Sequence, residues 1–257
     1  MKILVLVKQT PAAEAEIGIS ADGSSLLVGK NDWRMNRFDE FAVEEALKIR
    51  ETFPGSSVDA VSVGPPRVAA VLRRALAMGA DAAIHILHDE KRELFPGDTA
   101  SLLSSFAREG SYNLILAGVM SEDAMQGQTG PMLAELLGIP CATAVVAERI
   151  SPGNGLITVE RELEGGLREG LELHFPALLT VQSGINRPRY PALSHVLRSR
   201  SQPLLVIPAD TLPGAPRRER LLGLAWPAPS EKALFLEGTA EKKAERLAAI
   251  FNERALL

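Results

Sequence analysis

Apolar positions in the first half of the chain fall into two alternating rhythms. Continuous apolar runs at 3–7, 58–63, 82–87 and 114–117 read as short strands covered on both faces, Ile3-Leu4-Val5-Leu6-Val7 being the clearest. Between them, apolar residues recur every three or four positions: Val43, Ala46 and Leu47; Val68, Val71, Leu72, Ala75 and Leu76; Leu102, Leu103 and Phe106; Leu133, Leu136 and Leu137. That spacing is one face of an α-helix. The punctuation agrees with it. Asn36 stands three residues before Asp39 as a capping arrangement, and Asp39, Glu40, Glu44 and Glu45 make the helix's first part acidic. Gly64-Pro65-Pro66 turns into the second helix and Gly79 ends it; Asp98 caps the third and Gly110 stops it; Gly138 and Pro140 close the fourth. The order β, α, β, α, β, α, β, loop, α predicts an α/β fold: a wound, mostly parallel sheet with helices on both faces.

After residue 140 the rhythm changes. Strands are expected at 143–149, 155–163 and 167–173, linked by Pro152-Gly153-Asn154-Gly155 and Gly165-Gly166, a meander that extends the sheet on an antiparallel edge. A last buried strand follows at 177–181. Earlier, the polar stretch 12–32 suits a small hairpin around Asp22-Gly23. Prolines then mark the chain (Pro188, Pro191, Pro203, Pro208, Pro213, Pro216), periodicity is weak over 210–232, and 239–254 closes as an amphipathic helix carrying Ala244, Leu247, Ile250 and Phe251. A long irregular stretch is unusual inside a compact domain. The expected division is therefore a wound α/β body, 1–207, and a C-terminal arm, 208–257, that packs on a partner.

Composition narrows the function. With 257 residues, a net charge of −4 and only 5% aromatics, the chain has neither a field that draws nucleic acid nor base-stacking platforms. A single cysteine, Cys141, in an apolar run excludes an internal disulfide and a multi-cysteine metal site, and a buried structural thiol is its simplest reading. No run reaches the ~18 apolar residues of a membrane span, and the first apolar run is too short for a signal segment. No membrane insertion and a cytoplasmic or equivalent reducing location are expected.

The segment Gly118-Val119-Met120-Ser121-Glu122-Asp123-Ala124-Met125-Gln126-Gly127-Gln128-Thr129-Gly130-Pro131-Met132 lies between a buried strand and a helix, at the edge where open α/β sheets bind ligands. Gly127 and Gly130 allow close backbone approach, Thr129 offers a hydroxyl at the cap, and Pro131 suits the first helical turn. Free amides there point at an anion, with the helix dipole in support. On spacing alone, an anion-gripping loop and an ordinary capped helix start stand even. The segment has neither the Gly-Lys-Ser/Thr of a Walker loop nor a G-x-G-x-x-G.

Conventional catalytic sets are missing. His85, His88, His174 and His195 do not stand at metal-ligand spacings, and solvated or cap roles suit them better. There is no G-x-S-x-G elbow, and Cys141 lacks flanking basic residues. Glu160, Glu162 and Glu164 alternate with Arg161 as a solvated strand face. No catalytic residue and no metal site are expected.

Four stretches together resemble the small (β) subunit of electron-transfer flavoproteins: residues 2–9; Asn36-Arg37-Phe38-Asp39 through Ala42-Val43-Glu44-Glu45-Ala46; Ala75-Leu76-Ala77-Met78-Gly79-Ala80-Asp81; and Val159 through Gly166 leading to Asn186-Arg187-Pro188-Arg189-Tyr190-Pro191. The resemblance is near collinear over 1–207 and extends to the terminal helix. It implies a Rossmann-like, adenine-nucleotide α-hydrolase-like fold and a heterodimer with a larger α subunit that carries the redox-active FAD. It implies electrons received from acyl-CoA-type dehydrogenases, as in fatty acid oxidation, and passed to a quinone reductase or similar acceptor. It also implies a structural AMP in this subunit, or a second FAD in the bifurcating branch. Carried over position by position, the nucleotide site comprises Leu6, Asn36, Arg37, Phe38, Asp39, Val63, Ser121, Asp123, Gln126, Gly127, Gln128, Thr129, Gly130 and Met132, with the phosphate on Gln128-Thr129-Gly130.

The family also docks its dehydrogenase through a segment after the Tyr-Pro turn. Here Leu193 takes the apolar anchor position, with Ser194, His195 and Val196 beside it and Arg198 and Arg200 as rim charges. Many AMP-type members carry consecutive aspartates and an asparagine in the loop, where this chain has Asp123-Ala124-Met125 and Gly127. The retained Gln-Thr-Gly core favours AMP over a second FAD, and Ala13 stands where some members place a tyrosine near the flavin. The alternative from another class is a free-standing ATP-binding stress-type domain, against which the long C-terminal arm argues.

Overall fold

The computed structural model describes residues 1–89, 94–214, 216–228 and 233–255, the side chain of Pro152 excepted. The expected irregular stretch 210–232 lies partly outside the described residues. The chain divides into two compact units, Met1–Gly223 and Leu224–Leu257.

In the first unit the elements follow in the order β1 (Lys2–Leu6), β2 (Gln9–Pro11), β3 (Ile17–Ile19), β4 (Leu26–Val28), β5 (Trp33–Met35), α1 (Arg37–Thr52), β6 (Ser57–Gly64), α2 (Ala69–Met78), β7 (Ala82–Leu87), α3 (Pro96–Gly110), β8 (Leu114–Gly118), α4 (Thr129–Leu137), β9 (Cys141–Ser151), β10 (Leu156–Glu162), β11 (Arg168–His174), β12 (Ala177–Val181), α5 (Leu193–Ser201) and β13 (Leu205–Pro208). Among the described residues one sheet has nine strands, ordered β11-β10-β9-β12-β8-β1-β6-β7-β13. Pairing is parallel from β9 through to β13 and antiparallel between β9, β10 and β11. The expected wound sheet with an antiparallel edge is the one observed. The small hairpin around Gly23 is β3 paired with β4.

Alternation along β1 shows why its run is apolar throughout. Ile3 and Val5 enter the core shared with Val43 and Leu47 of α1 and Leu72 of α2. Leu4 and Leu6 enter the opposite one, with Leu103 of α3 and Leu133 of α4. Each such fully buried side chain contributes roughly 2 kcal/mol relative to leaving it in water. Successive parallel strands step outward from β1 to β6 to β7, whereas β8 lies on the other side of β1. The strand order therefore reverses between β1 and β8, the kind of switch point at whose carboxyl edge open α/β sheets bind ligands.

Some local expectations are corrected. Asp98 does not cap α3; the helix begins two residues earlier at Pro96, and the Asp98 carboxylate accepts from the Phe95 amide at 3.2 Å. Asn36 occupies the N-cap position of α1 without capping it. The chain after β12 holds a helix and an edge strand, α5 and β13, where only proline-marked irregularity was expected. β13 closes the sheet beside β7 with Leu205 and Val206 exposed; its apolar run, 204–207, stands between Pro203 and Pro208, within the proline-marked segment. In the second unit, α6 (Ala240–Glu253) matches the expected terminal helix, with Thr239 as its N-cap and the Thr239 hydroxyl accepting from the Lys242 amide at 3.5 Å. Among the described residues no helix is long and apolar enough to cross a membrane.

Candidate functional site

The carboxyl ends of β1 and β8 are tied together by the first turn of α1. Asp39, 6% exposed, accepts from the Lys8 amide at 2.7 Å through Oδ2 and from the Gly118 amide at 3.1 Å through Oδ1. Burial pushes its carboxyl up to about 7, against the pull of those amides. Gly118 is required by this approach: a Cβ there would lie 2.5 Å from Asp39 Oδ1 and 2.8 Å from the Phe38 carbonyl carbon. Asn36, 1% exposed, donates to the Met120 carbonyl at 2.9 Å and accepts from the Glu122 amide at 3.1 Å. A side chain at a capping position is thus spent on holding the loop after β8. Glu122 answers by accepting from the Arg37 amide at 3.2 Å.

Lys8 completes the hold. Its ammonium donates to Ser121 Oγ at 3.2 Å and to Asp123 Oδ1 at 2.8 Å. Burial would raise the Asp123 carboxyl, but the Lys8 charge and hydrogen bonds from Lys8, Ser121 and Ala124 hold it below the usual range. Sequence reading did not assign Lys8 to the site. The available signal was a cation closing an otherwise apolar strand at the ligand-binding edge of the sheet.

Beyond this tether the loop is open. Gln126, Gly127 and Gln128 are exposed, and Met125 and Gly127 take positive φ of 53° and 62°. Thr129 is the first helical residue rather than the cap, and Gln128 at the cap makes no side-chain capping bond. The Met132 amide is bonded to the Gln128 carbonyl at 3.0 Å, whereas the amides of Gln128, Thr129 and Gly130 have no acceptor among the described residues. Gly130 lets α4 lie close against β12, since a Cβ there would stand 2.6 Å from Thr180 Cγ2. Open amides at a helix start, with the dipole behind them, suit a phosphate or carboxylate. Leu6 and the partly buried Val63 and Met132 belong to or pack on the core under α3 and α4. Arg37 is exposed and Phe38 half-buried.

The family model for the electron transfer flavoprotein domain matches residues 26–212. The chain is 33% identical over 261 residues to "Electron transfer flavoprotein subunit beta" of Methylophilus methylotrophus, covering 98% of each chain. It is 32% identical over 269 residues to the Bacillus subtilis (strain 168) protein of the same name, covering 99% of each. With the Sus scrofa protein it shares 34% identity over 214 residues, covering 82% of this chain and 83% of that one. The chain belongs to the electron transfer flavoprotein β-subunit family. Its role is therefore in electron transfer.

Two stretches that carried the β-subunit resemblance meet in space. Asn186 donates to the Phe41 carbonyl at 2.9 Å and to Glu45 Oε2 at 2.8 Å. Arg189 grips Glu44 with Nε at 2.9 Å and the second guanidinium nitrogen at 3.0 Å, and reaches Glu51 at 2.7 Å. The acidic first part of α1 is thus partly buried, Glu44 and Glu45 being 6% and 4% exposed. After Arg189 the chain enters α5, where Leu193 is 73% and Leu197 53% exposed; Ser194, His195, Arg198 and Arg200 are exposed and Val196 half-buried.

Other expectations need adjustment. His85 is buried and its Nε2 lies 2.9 Å from the Gly64 carbonyl, so it is neither solvated nor a cap. Cys141 is half-buried, and burial pushes its thiol up to about 11. Among the described residues no group of three His, Cys, Asp or Glu side chains is placed to hold a metal ion.

Glu148 of β9 stands against Glu45, and burial first, then that neighbour's charge, pushes its carboxyl up to about 7 from 4.5. A raised acid contributes its stability in full below the unfolded value and loses it as pH rises through the folded one. Glu148→Gln is therefore expected to leave stability at pH 5 nearly unchanged and to raise it at pH 8 by about 1–2 kcal/mol, discounted for partial exposure. Thermal unfolding across pH 5–8 checks this; parallel profiles for variant and parent would refute it.

Proposed function

We propose that this chain is the β subunit of a heterodimeric electron-transfer flavoprotein and binds AMP structurally at the mouth of β1 and β8. Electrons come from an acyl-CoA-type dehydrogenase and leave to a quinone reductase or similar acceptor, through FAD held mainly by the α subunit. The observation that carries this reading is the loop 119–128, tethered by Lys8 and Asn36 beside the Asp39 tie at Gly118, yet presenting amides of Gln128, Thr129 and Gly130 that have no acceptor among the described residues. Those amides would take the phosphate, Asn36 to Asp39 with Ser121 and Asp123 would hold the nucleotide's flank, and Leu6 and Val63 would lie beneath it. FAD, when bound by the heterodimer, supplies the redox chemistry. This chain contributes no catalytic residue, only the shape and polarity that house the cofactors, in a cytoplasmic or equivalent compartment.

The same proposal divides the chain into a nucleotide-binding body, 1–207, and an arm, 208–257, that packs on the α subunit. Large apolar side chains left exposed in the second unit support it: Trp226 at 65%, Leu234 at 68% and Phe235 at 86%.

Denaturing the purified heterodimer is expected to release AMP together with FAD, one of each per heterodimer. Mass spectrometry of the extract decides the matter. A second FAD in place of AMP would move the protein to the bifurcating type, and an extract without any adenine nucleotide beyond the flavin would defeat the assignment of the loop.

A further inference from the structure

The helix α5 has a construction that its sequence alone does not explain. It is nine residues long, too short to persist by itself in water. Leu193 and Leu197, one turn apart, are both left in solvent, and the only residue of the helix that is fully buried is Ser199, at 2%. An apolar stripe turned inward therefore does not hold it. It packs against α2, and two arginines from outside the helix fix where it starts and ends.

Upstream, four positions before α5 begins, Arg189 is fixed to α1. Its backbone amide and Nε both reach Glu44 Oε2, at 3.0 and 2.9 Å, a second guanidinium nitrogen reaches Glu44 Oε1 at 3.0 Å, and the third reaches Glu51 at 2.7 Å. Paired hydrogen bonds from a planar guanidinium to a carboxylate fix direction as well as distance, and a buried carboxylate such as Glu44 strongly resists losing its partner. The short link to the helix is stiffened by Pro191. Downstream, Arg73 of α2 donates to the carbonyls of Ser199 and Gln202. These are last-turn carbonyls, which a helix leaves without internal partners. One tether thus sets where α5 starts and the other holds its end, while the face bearing Leu193 and Leu197 stays free.

We infer that Arg189 and Arg73 are positioning residues for partner docking: they hold α5 in advance so that Leu193 and Leu197 form a ready-made anchor. This rests on the reading of α5 as the dehydrogenase-docking segment. Ordering the anchor before encounter removes an entropic cost from binding. Loosening it reduces the fraction of molecules competent to dock and raises the apparent dissociation constant by the inverse of that fraction.

The test uses the intact heterodimer and its dehydrogenase. In Arg189→Ala, amide hydrogen exchange over 193–201 is expected to accelerate about tenfold, more than over α1. The KM for the carrier rises by about the same factor, with kcat within about twofold and flavin content as in the parent. Arg189→Lys should fall between, because an ammonium cannot span both oxygens of Glu44. Where Arg189→Ala does not fold, the pair Arg189→Met with Glu44→Gln removes the tether without stranding a buried charge. Parent-like exchange in α5 overturns the inference. So does faster exchange with an unchanged KM when Leu193→Ala raises KM. If Leu193→Ala also leaves KM unchanged, the docking reading itself has failed, and the two failures are told apart.

Discussion

Asp39→Ala is expected to destabilise the chain by about 3 kcal/mol and to strip it of bound nucleotide. Its carboxylate is the acceptor for two amides, those of Lys8 and Gly118, which come from different strands and meet at the switch point of the sheet. Alanine leaves both donors facing a buried, acceptor-free space, and each stranded donor costs about 1–3 kcal/mol. The loop 119–128 begins directly after Gly118, so loss of this tie displaces the segment whose amides are proposed to hold phosphate. Asp39→Asn retains one acceptor oxygen but turns an NH2 toward the other amide, and should cost about half as much. The pH dependence carries a second signature. With its carboxyl raised to about 7, Asp39 stabilises fully below about pH 4 and progressively less as pH rises through 7. The asparagine variant lacks that decline. Urea unfolding at pH 5 and pH 8, with nucleotide quantified in the same preparations, measures both. An alanine variant as stable as the parent would show that water takes over from the carboxylate, contrary to the geometry described.

Leu193→Ala is expected to cut electron transfer from the dehydrogenase about 30-fold at sub-saturating carrier while leaving the fold and flavin content alone. In the chain by itself, 73% of Leu193 faces solvent, so truncating it removes almost no folding free energy. An apolar side chain that enters a partner's pocket behaves differently: a docking anchor is worth about 2 kcal/mol or more on truncation. Leu197, 53% exposed on the same face, should show a smaller effect in the same direction. Stopped-flow reduction of the heterodimer's flavin by the substrate-loaded dehydrogenase reads the change. Unchanged rates in both variants would mean that docking uses another surface.

Much of this was legible because it depends on local periodicity. Strands β1, β6, β7, β8 and β12 are largely buried on both faces, which makes them mostly apolar runs, with Ser62, His85 and Thr180 as buried polar exceptions. Helices α1 to α4 bury one stripe each, and the change from a three-to-four spacing to Gly-rich alternation after residue 140 announced the antiparallel edge. By contrast, α5 and β13 went unseen. Neither buries a continuous apolar face: one is held at its ends by Arg189 and Arg73, the other closes a sheet edge with Leu205 and Val206 in solvent. An element held by tethers leaves no periodic trace, and the short apolar run of β13 is obscured by the prolines at either end, Pro203 and Pro208.

The candidate site divides along the same line. Position alone, at the end of a buried strand and the start of a helix, marked 121–132, because the direction of parallel strands and the polarity of a helix follow from chain order. What Asn36, Asp39 and Lys8 do there could not follow from chain order. Asn36 and Asp39 stand where a helix cap is expected, and Lys8 looks like the polar end of a strand. Only the adjacency of β1 and β8, residues 2–6 against 114–118, turns those three side chains toward the end of β8 and the loop after it, 79 to 115 residues away in sequence. The acidic face of α1 shows the same thing in reverse. Glu44 and Glu45 read only as the acidic first part of a helix until Asn186 and Arg189, over 140 positions later, are brought against them. Sequence by itself determined the layers, the strand class, the family and the place of the loop, since each is encoded in spacing or in motifs along the chain. Tertiary structure decided which polar side chains are buried and whom they bind, since hydrogen-bond partners are chosen by proximity in space.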